Sequence, residues 1–120
     1  MIKESLKLEI VKRLKIIVNE LVKNNISGIV NSNLSEISEE EIKEELGFYP
    51  GIMTTPPDQA YVRWDDGIDI YKVQYNPPPH YEGTFRLYFD GEESDLTLKF
   101  NVYIEKNEKV LVKLRDLDVM

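Results

Sequence analysis

Leu96-Thr97-Leu98-Lys99-Phe100-Asn101-Val102-Tyr103-Ile104 alternates apolar and polar residues without a break. Successive side chains of a strand point to opposite faces, so this run reads as a β-strand with one buried side. Leu96, Leu98, Phe100, Val102 and Ile104 are expected inward, with Thr97, Lys99, Asn101 and Tyr103 outward. Upstream, Phe85, Leu87 and Phe89 alternate with Arg86 and Tyr88, and a turn over Asp90-Gly91-Glu92-Glu93-Ser94 joins the two runs. Downstream, Lys106-Asn107-Glu108 turns into Val110-Leu111-Val112-Lys113-Leu114, and the chain runs on through Asp116-Leu117-Asp118-Val119-Met120. Short turns between strands make antiparallel neighbours.

Further upstream, Tyr61–Trp64 and Ile68–Tyr75 flank Asp65-Asp66-Gly67, and Asp-Gly between β-formers signals a hairpin. Asn76-Pro77-Pro78-Pro79-His80 cannot lie inside a strand, because proline donates no ladder hydrogen bond. It is expected as an extended loop. Residues 48–60, with Pro50, Pro56 and Pro57, show no period and read as a connection.

The first half of the chain has the helical period instead. Leu6, Ile10, Leu14, Ile17 and Leu21 recur at spacings of four and three, and Val11, Val18 and Val22 widen the stripe. This predicts a helix over 3–23, stopped by Asn24-Asn25 and Ser27-Gly28. Ser38 and Glu41 form a capping box, Ile37 and Ile42 stand at the positions of a hydrophobic staple, and Glu39, Glu40 and Glu41 complement the helix dipole. A short helix over 39–46 follows, with Gly47 as its stop; losing Ser38 to Ala should cost about 1 kcal/mol. Helices followed by strands define an α+β class, here with four to five antiparallel strands whose Leu96/Phe100/Val102 face is covered by the amphipathic first helix. Cystatin-like and cone-shaped folds share this layout. At 120 residues, with no internal repeat, the chain is expected to be a single domain over 1–120.

Charge narrows the choice of partner. The net charge is −7, with a sequence pI near 4.8, which disfavours nucleic acid, since phosphates call for a basic footprint. Residues 1–25 hold six basic side chains against three acidic ones, so the remaining 95 carry −10. Such asymmetry steers a basic partner toward the acidic part. No apolar run long enough for a signal peptide or a membrane span occurs, so cytoplasmic localisation without membrane association is expected. The abundance of Lys, Glu, Ile and Asn suggests a bacterial or phage source.

The residue types for catalysis are sparse. There is no cysteine, and His80 is the single histidine, which rules out thiolate chemistry and a His-pair zinc site within one chain. No Gly-x-Ser-x-Gly elbow or phosphate-binding glycine loop is present. The acidic turn 90–95 lacks the spacing of a calcium loop. No catalytic residue, metal or cofactor is therefore expected.

Aromatic residues are the other distinctive feature. Tyr61, Trp64, Tyr71, Tyr75, Tyr81, Tyr88 and Tyr103 lie in or beside the strands, where they serve either as interface anchors or as cross-strand packing. The expected partner-binding set is Trp64, Asp65, Asp66, Tyr75, His80 and Tyr81 around the proline loop, together with Tyr88, Asp90, Glu92, Glu93 and Asp95. From Phe85 to Met120, the aromatic strand, the acidic turn into Ser94-Asp95-Leu96, the alternating strand and the final Asp-Leu-x-Val at Val119 resemble a type of small bacterial domain. Small acidic α+β proteins of this kind resemble the immunity proteins of bacterial toxin systems. The resemblance covers about a third of the chain and carries no catalytic residues. It implies a protein-binding module that blocks a basic partner. Two other readings stay open: a cone-shaped ligand-binding or enzymatic domain with Trp64, His80 and tyrosines in a pocket, and a subunit of a homo-oligomer.

Overall fold

The strand that opens the sequence reading lies inside a five-stranded antiparallel sheet. The computed structural model describes residues 4–62, the backbone of 68–73, and residues 80–105, 107 and 109–119. In chain order these form α1 (Glu4–Val22), α2 (Ile26–Asn31), α3 (Glu39–Phe48), β1 (Met53–Thr54), a 3-10 turn (Asp58–Tyr61), β2 (Ile68–Val73), β3 (His80–Phe89), β4 (Glu92–Ile104) and β5 (Val110–Val119). The order across the sheet is β1-β3-β4-β5, and β2 pairs with the same edge of β3 as β1 does. The chain is thus an α+β domain with its helices in the first half and an antiparallel sheet in the second.

The helix ends follow from their asparagines. Asn24 adopts a left-handed conformation (φ 62°) after α1, and the amides of Asn24 and Asn25 donate to the carbonyls of Leu21 and Glu20. Asn33 (φ 60°) repeats the arrangement after α2, with the amides of Asn33 and Leu34 reaching the carbonyls of Val30 and Ile29. Both are Schellman closures, in which asparagine takes the place more often held by glycine. Ser27 and Gly28, expected to help terminate the first helix, instead lie within α2, a helix the periodicity does not reveal. Ile26 and Ile29 bury its short apolar face.

At α3 the Ser38 hydroxyl accepts from the Glu41 amide at 3.1 Å, as the capping motif requires. The helix passes through Gly47 and ends at Phe48, two residues beyond the expected 39–46. Pro50 explains the stop, because it forces the residue before it out of helical geometry, and Tyr49 is extended (φ −94°, ψ 125°).

The core lies between the helices and one face of the sheet. Ile10, Leu14, Ile17 and Leu21 of α1 and Ile42 of α3 join Phe85, Leu87, Leu98, Phe100, Val112 and Leu114. Two irregularities keep the apolar phase aligned. In β5 the register shifts opposite Lys99 and Phe100, so burial passes from Val110, Val112 and Leu114 to Leu117. Between Arg86 and Tyr88, β4 carries extra residues, and the Ser94 hydroxyl donates to the Leu87 carbonyl at 2.6 Å while accepting from the Leu96 amide. The extra residues leave backbone groups off the ladder, and the serine hydroxyl takes up two of them.

Several expectations need correcting. Ile104 is exposed, whereas Thr97 and Asn101 on the opposite face are buried. Tyr61 belongs to the 3-10 turn rather than to a strand. It is buried and stacks on Phe85 at 4.8 Å. His80 opens β3 instead of closing a loop. The β3–β4 turn is the two-residue Asp90-Gly91, with both residues at positive φ (52° and 81°), while Glu92, Glu93 and Ser94 already belong to β4. This is the geometry Asp-Gly favours in tight hairpins. The expected Asp65-Asp66-Gly67 hairpin and the prolines 77–79 lie outside the described residues.

Candidate functional site

The residues expected to bind a partner do not form one site. Trp64, Asp65, Asp66 and Tyr75 lie outside the described residues. His80 and Tyr81 open β3, while Tyr88, Asp90, Glu92, Glu93 and Asp95 lie at its other end. Tyr81 and Tyr88, the nearest members of the two groups, are seven residues apart along the strand, about 23 Å. Two of the tyrosines are also half-buried. Tyr81 sits opposite Val102 in the ladder and packs half-buried against the core, as does Tyr88.

The His80 end is a polar cluster on the sheet face away from the helices. His80 Nε2 lies 3.2 Å from Glu82 Oε2, and its ring centroid is 5.3 Å from that of Tyr103. Arg115 reaches the other Glu82 oxygen at 3.8 Å. Beside them, Asn101 Nδ2 donates to Glu36 Oε2 at 2.7 Å and the Tyr103 hydroxyl donates to Glu36 Oε1 at 2.5 Å. Burial first, and then this bond to Glu36, hold the Tyr103 hydroxyl above the usual phenol range. Glu36 comes from the connection between α2 and α3. That connection runs along the β5 edge, where Leu114 accepts from the Glu36 amide and donates to the Leu34 carbonyl, both at 2.8 Å. Glu36 therefore fastens the connection across the sheet, which explains why Asn101 is buried on the supposedly outward face. Among the described residues, no group of three or more His, Asp or Glu side chains is placed to hold a metal.

The other end combines carboxylates with exposed apolar side chains. Asp90 Oδ1 accepts from the Ile52 amide at 3.1 Å, the Asp90 amide donates to the Ile52 carbonyl at 2.8 Å, and the Gly91 amide donates to Thr54 Oγ1 at 3.0 Å. These three bonds clamp the segment before and within β1 onto the hairpin tip. Gly51 (φ 100°) is required there twice over: a Cβ would meet Asp90 Oδ2 at 2.6 Å, and the backbone is left-handed. Tyr49 completes the connection, with its hydroxyl donating to Asp95 at 2.6 Å and its ring 4.6 Å from that of Phe89. The end of α3 is thereby tied to the acidic hairpin, so Glu44 and Glu45 share this end of the molecule with Asp90, Glu92 and Asp95, all exposed. Glu93 lies 3.9 Å from Arg86.

Phe48 and Ile52 are 77% and 74% exposed in the midst of this acidic surface. Ile52 also borders an open cleft of about 210 Å³ whose walls include Leu21, Val22, Leu46, Met53 and Phe89. Sequence reasoning missed both residues, because they fall in the proline-punctuated stretch without a period. The sequence signal was present: Phe48 follows a helical glycine and Ile52 stands alone between Gly51 and Met53, so neither fits an amphipathic pattern.

The fold is thus an α+β domain with carboxylates and two exposed apolar side chains toward one end of its sheet. The chain belongs to a family described as a domain of unknown function (DUF7668), whose model matches residues 18–120. The match begins within α1 and takes in the whole cleft, the acidic hairpin and the sheet. No curated protein and no solved structure matches the chain. Among the described residues, no helix is long and apolar enough to cross a membrane.

Proposed function

We propose that the chain is a protein-binding module of the immunity or inhibitor kind, which neutralises a basic partner through its acidic end. The observation that carries this reading is the convergence of two acidic clusters, distant in sequence, around Phe48 and Ile52. Carboxylates at the rim accelerate encounter with a basic surface, and apolar side chains at the centre slow release. The aromatic contribution expected from the tyrosines passes to Phe48, since Tyr61 is buried and Tyr81 and Tyr88 are half-buried.

Affinity purification of the tagged chain from its own host at low salt tests the proposal. The wild type should retain a basic protein that the double variant Glu92→Lys/Glu93→Lys releases, and co-expression of the chain should relieve that protein's toxicity. Retention indifferent to charge reversal, or the absence of any specific partner, would overturn it.

A further inference from the structure

We propose that the cleft beside Ile52 is an anchor pocket for one large apolar side chain of a partner segment flanked by lysine or arginine. This rests on the protein-binding reading and deepens it. Size is the first argument. The cleft measures about 210 Å³, below the roughly 300–1,000 Å³ of small-molecule sites but ample for a single aromatic or aliphatic side chain. Composition is the second. Six of its eight lining residues carry apolar side chains, although polar groups make up about half of the exposed wall. They come from the end of α1, the end of α3, β1 with the residues before it, and β3, which the core and the Asp90 clamp hold in place. Pre-formed walls lower the ordering cost of filling the pocket.

Charge complementarity identifies the occupant. Asp90 is bonded to the Ile52 backbone at the cleft itself, and Glu92 pairs with Phe89 across the tight turn. Lys23, the cation next in sequence to wall residue Val22, has its ammonium 4.0 Å from Glu20. A segment carrying basic residues beside its apolar anchor therefore meets the Asp90 and Glu92 carboxylates at the rim and apolar side chains in the wall. Ile52 flanks the entry and covers the anchor once it is seated.

Amide NMR of the full chain, titrated with three capped pentapeptides (KKFKK, KKSKK and EEFEE), tests this. KKFKK should bind saturably, shifting the amides of Val22, Asn24, Ile52 and Met53. KKSKK should bind at least tenfold more weakly, the scale expected for losing one buried aromatic side chain. EEFEE should leave the cleft unmoved. Ile52→Ser, at an exposed position that the fold does not need, should weaken KKFKK. Equal binding of KKFKK and KKSKK would refute the anchor while leaving the acidic reading intact. Equal binding of EEFEE would refute the basic flanks. Silence with every peptide, or cleft shifts that follow the protein's own concentration because a second copy fills the pocket, would overturn the proposal. Charge-insensitive partner retention would instead refute the function on which it rests.

Discussion

Asp90 gives the sharpest test, because it combines two separable contributions in one residue. Its backbone is left-handed at φ 52°, a conformation that costs most L-residues roughly 1–2 kcal/mol but that Asp, Asn and Gly adopt readily. Its carboxylate accepts from the Ile52 amide at 3.1 Å, and because the residue is exposed this bond should be worth about 1 kcal/mol. Asp90→Asn keeps the turn and an acceptor oxygen and should stay within about 0.5 kcal/mol of wild type. Asp90→Gly keeps the turn but removes the acceptor and should cost about 1 kcal/mol. Asp90→Ala loses both, for a total of about 2–3 kcal/mol, or about 8–12 °C in Tm for a domain of this size. Urea unfolding gives the stabilities, and hydrogen exchange at the Ile52 amide reports the clamp directly, with faster exchange expected in the Gly and Ala variants. If Ala and Asn prove equally stable, or if Ile52 exchange in the Gly variant matches wild type, the clamp does not organise this end of the molecule.

Two further predictions concern the interior and α3. The Tyr61 hydroxyl is buried with no hydrogen-bond partner among the described residues, and burial, reinforced by Asp58, raises it above the usual phenol range. Tyr61→Phe should therefore raise stability by about 1 kcal/mol at neutral pH. Above pH about 10 the unfolded chain ionises this phenol while the folded chain does not, so wild-type stability should fall there. The variant should lose part of that alkaline slope, which chemical denaturation at stepped pH would show; destabilisation by the variant would reveal a partner for the hydroxyl. Gly47 lies within α3, and a Cβ there would meet nothing within 4 Å, so Gly47→Ala should stabilise by about 0.5–1 kcal/mol in thermal unfolding. A loss of stability would show that the helix end needs the glycine.

How much was legible depended on how local the cause was. The α1 stripe, the Ser38 cap and the alternation of residues 96–104 are short-range signals, and the folded chain keeps the helix, the cap and the strand they mark. Their limits failed where a long-range partner intervened. Thr97 and Asn101 look outward by alternation, yet Asn101 is buried because Glu36, 65 positions away in sequence, reaches across to it. Tyr61 looks like a strand aromatic until Phe85 supplies the face on which it stacks. Ser27 and Gly28 suit a helix end in isolation, and burial of Ile26 and Ile29 beside them makes a further helix instead.

The sequence by itself determined the α+β class, the amphipathic first helix and the strongly negative balance of the second part, because side-chain period and charge belong to the chain before it folds. Only the tertiary structure decided where that negative charge collects. The bonds from Asp90 to Ile52 and from Tyr49 to Asp95 span 38 and 46 residues, and they bring the α3 acids, the hairpin acids and two apolar side chains to one end. No local pattern encodes such pairings, since each partner alone is an ordinary turn aspartate or loop aromatic. Their meaning arises when the folded sheet sets them side by side.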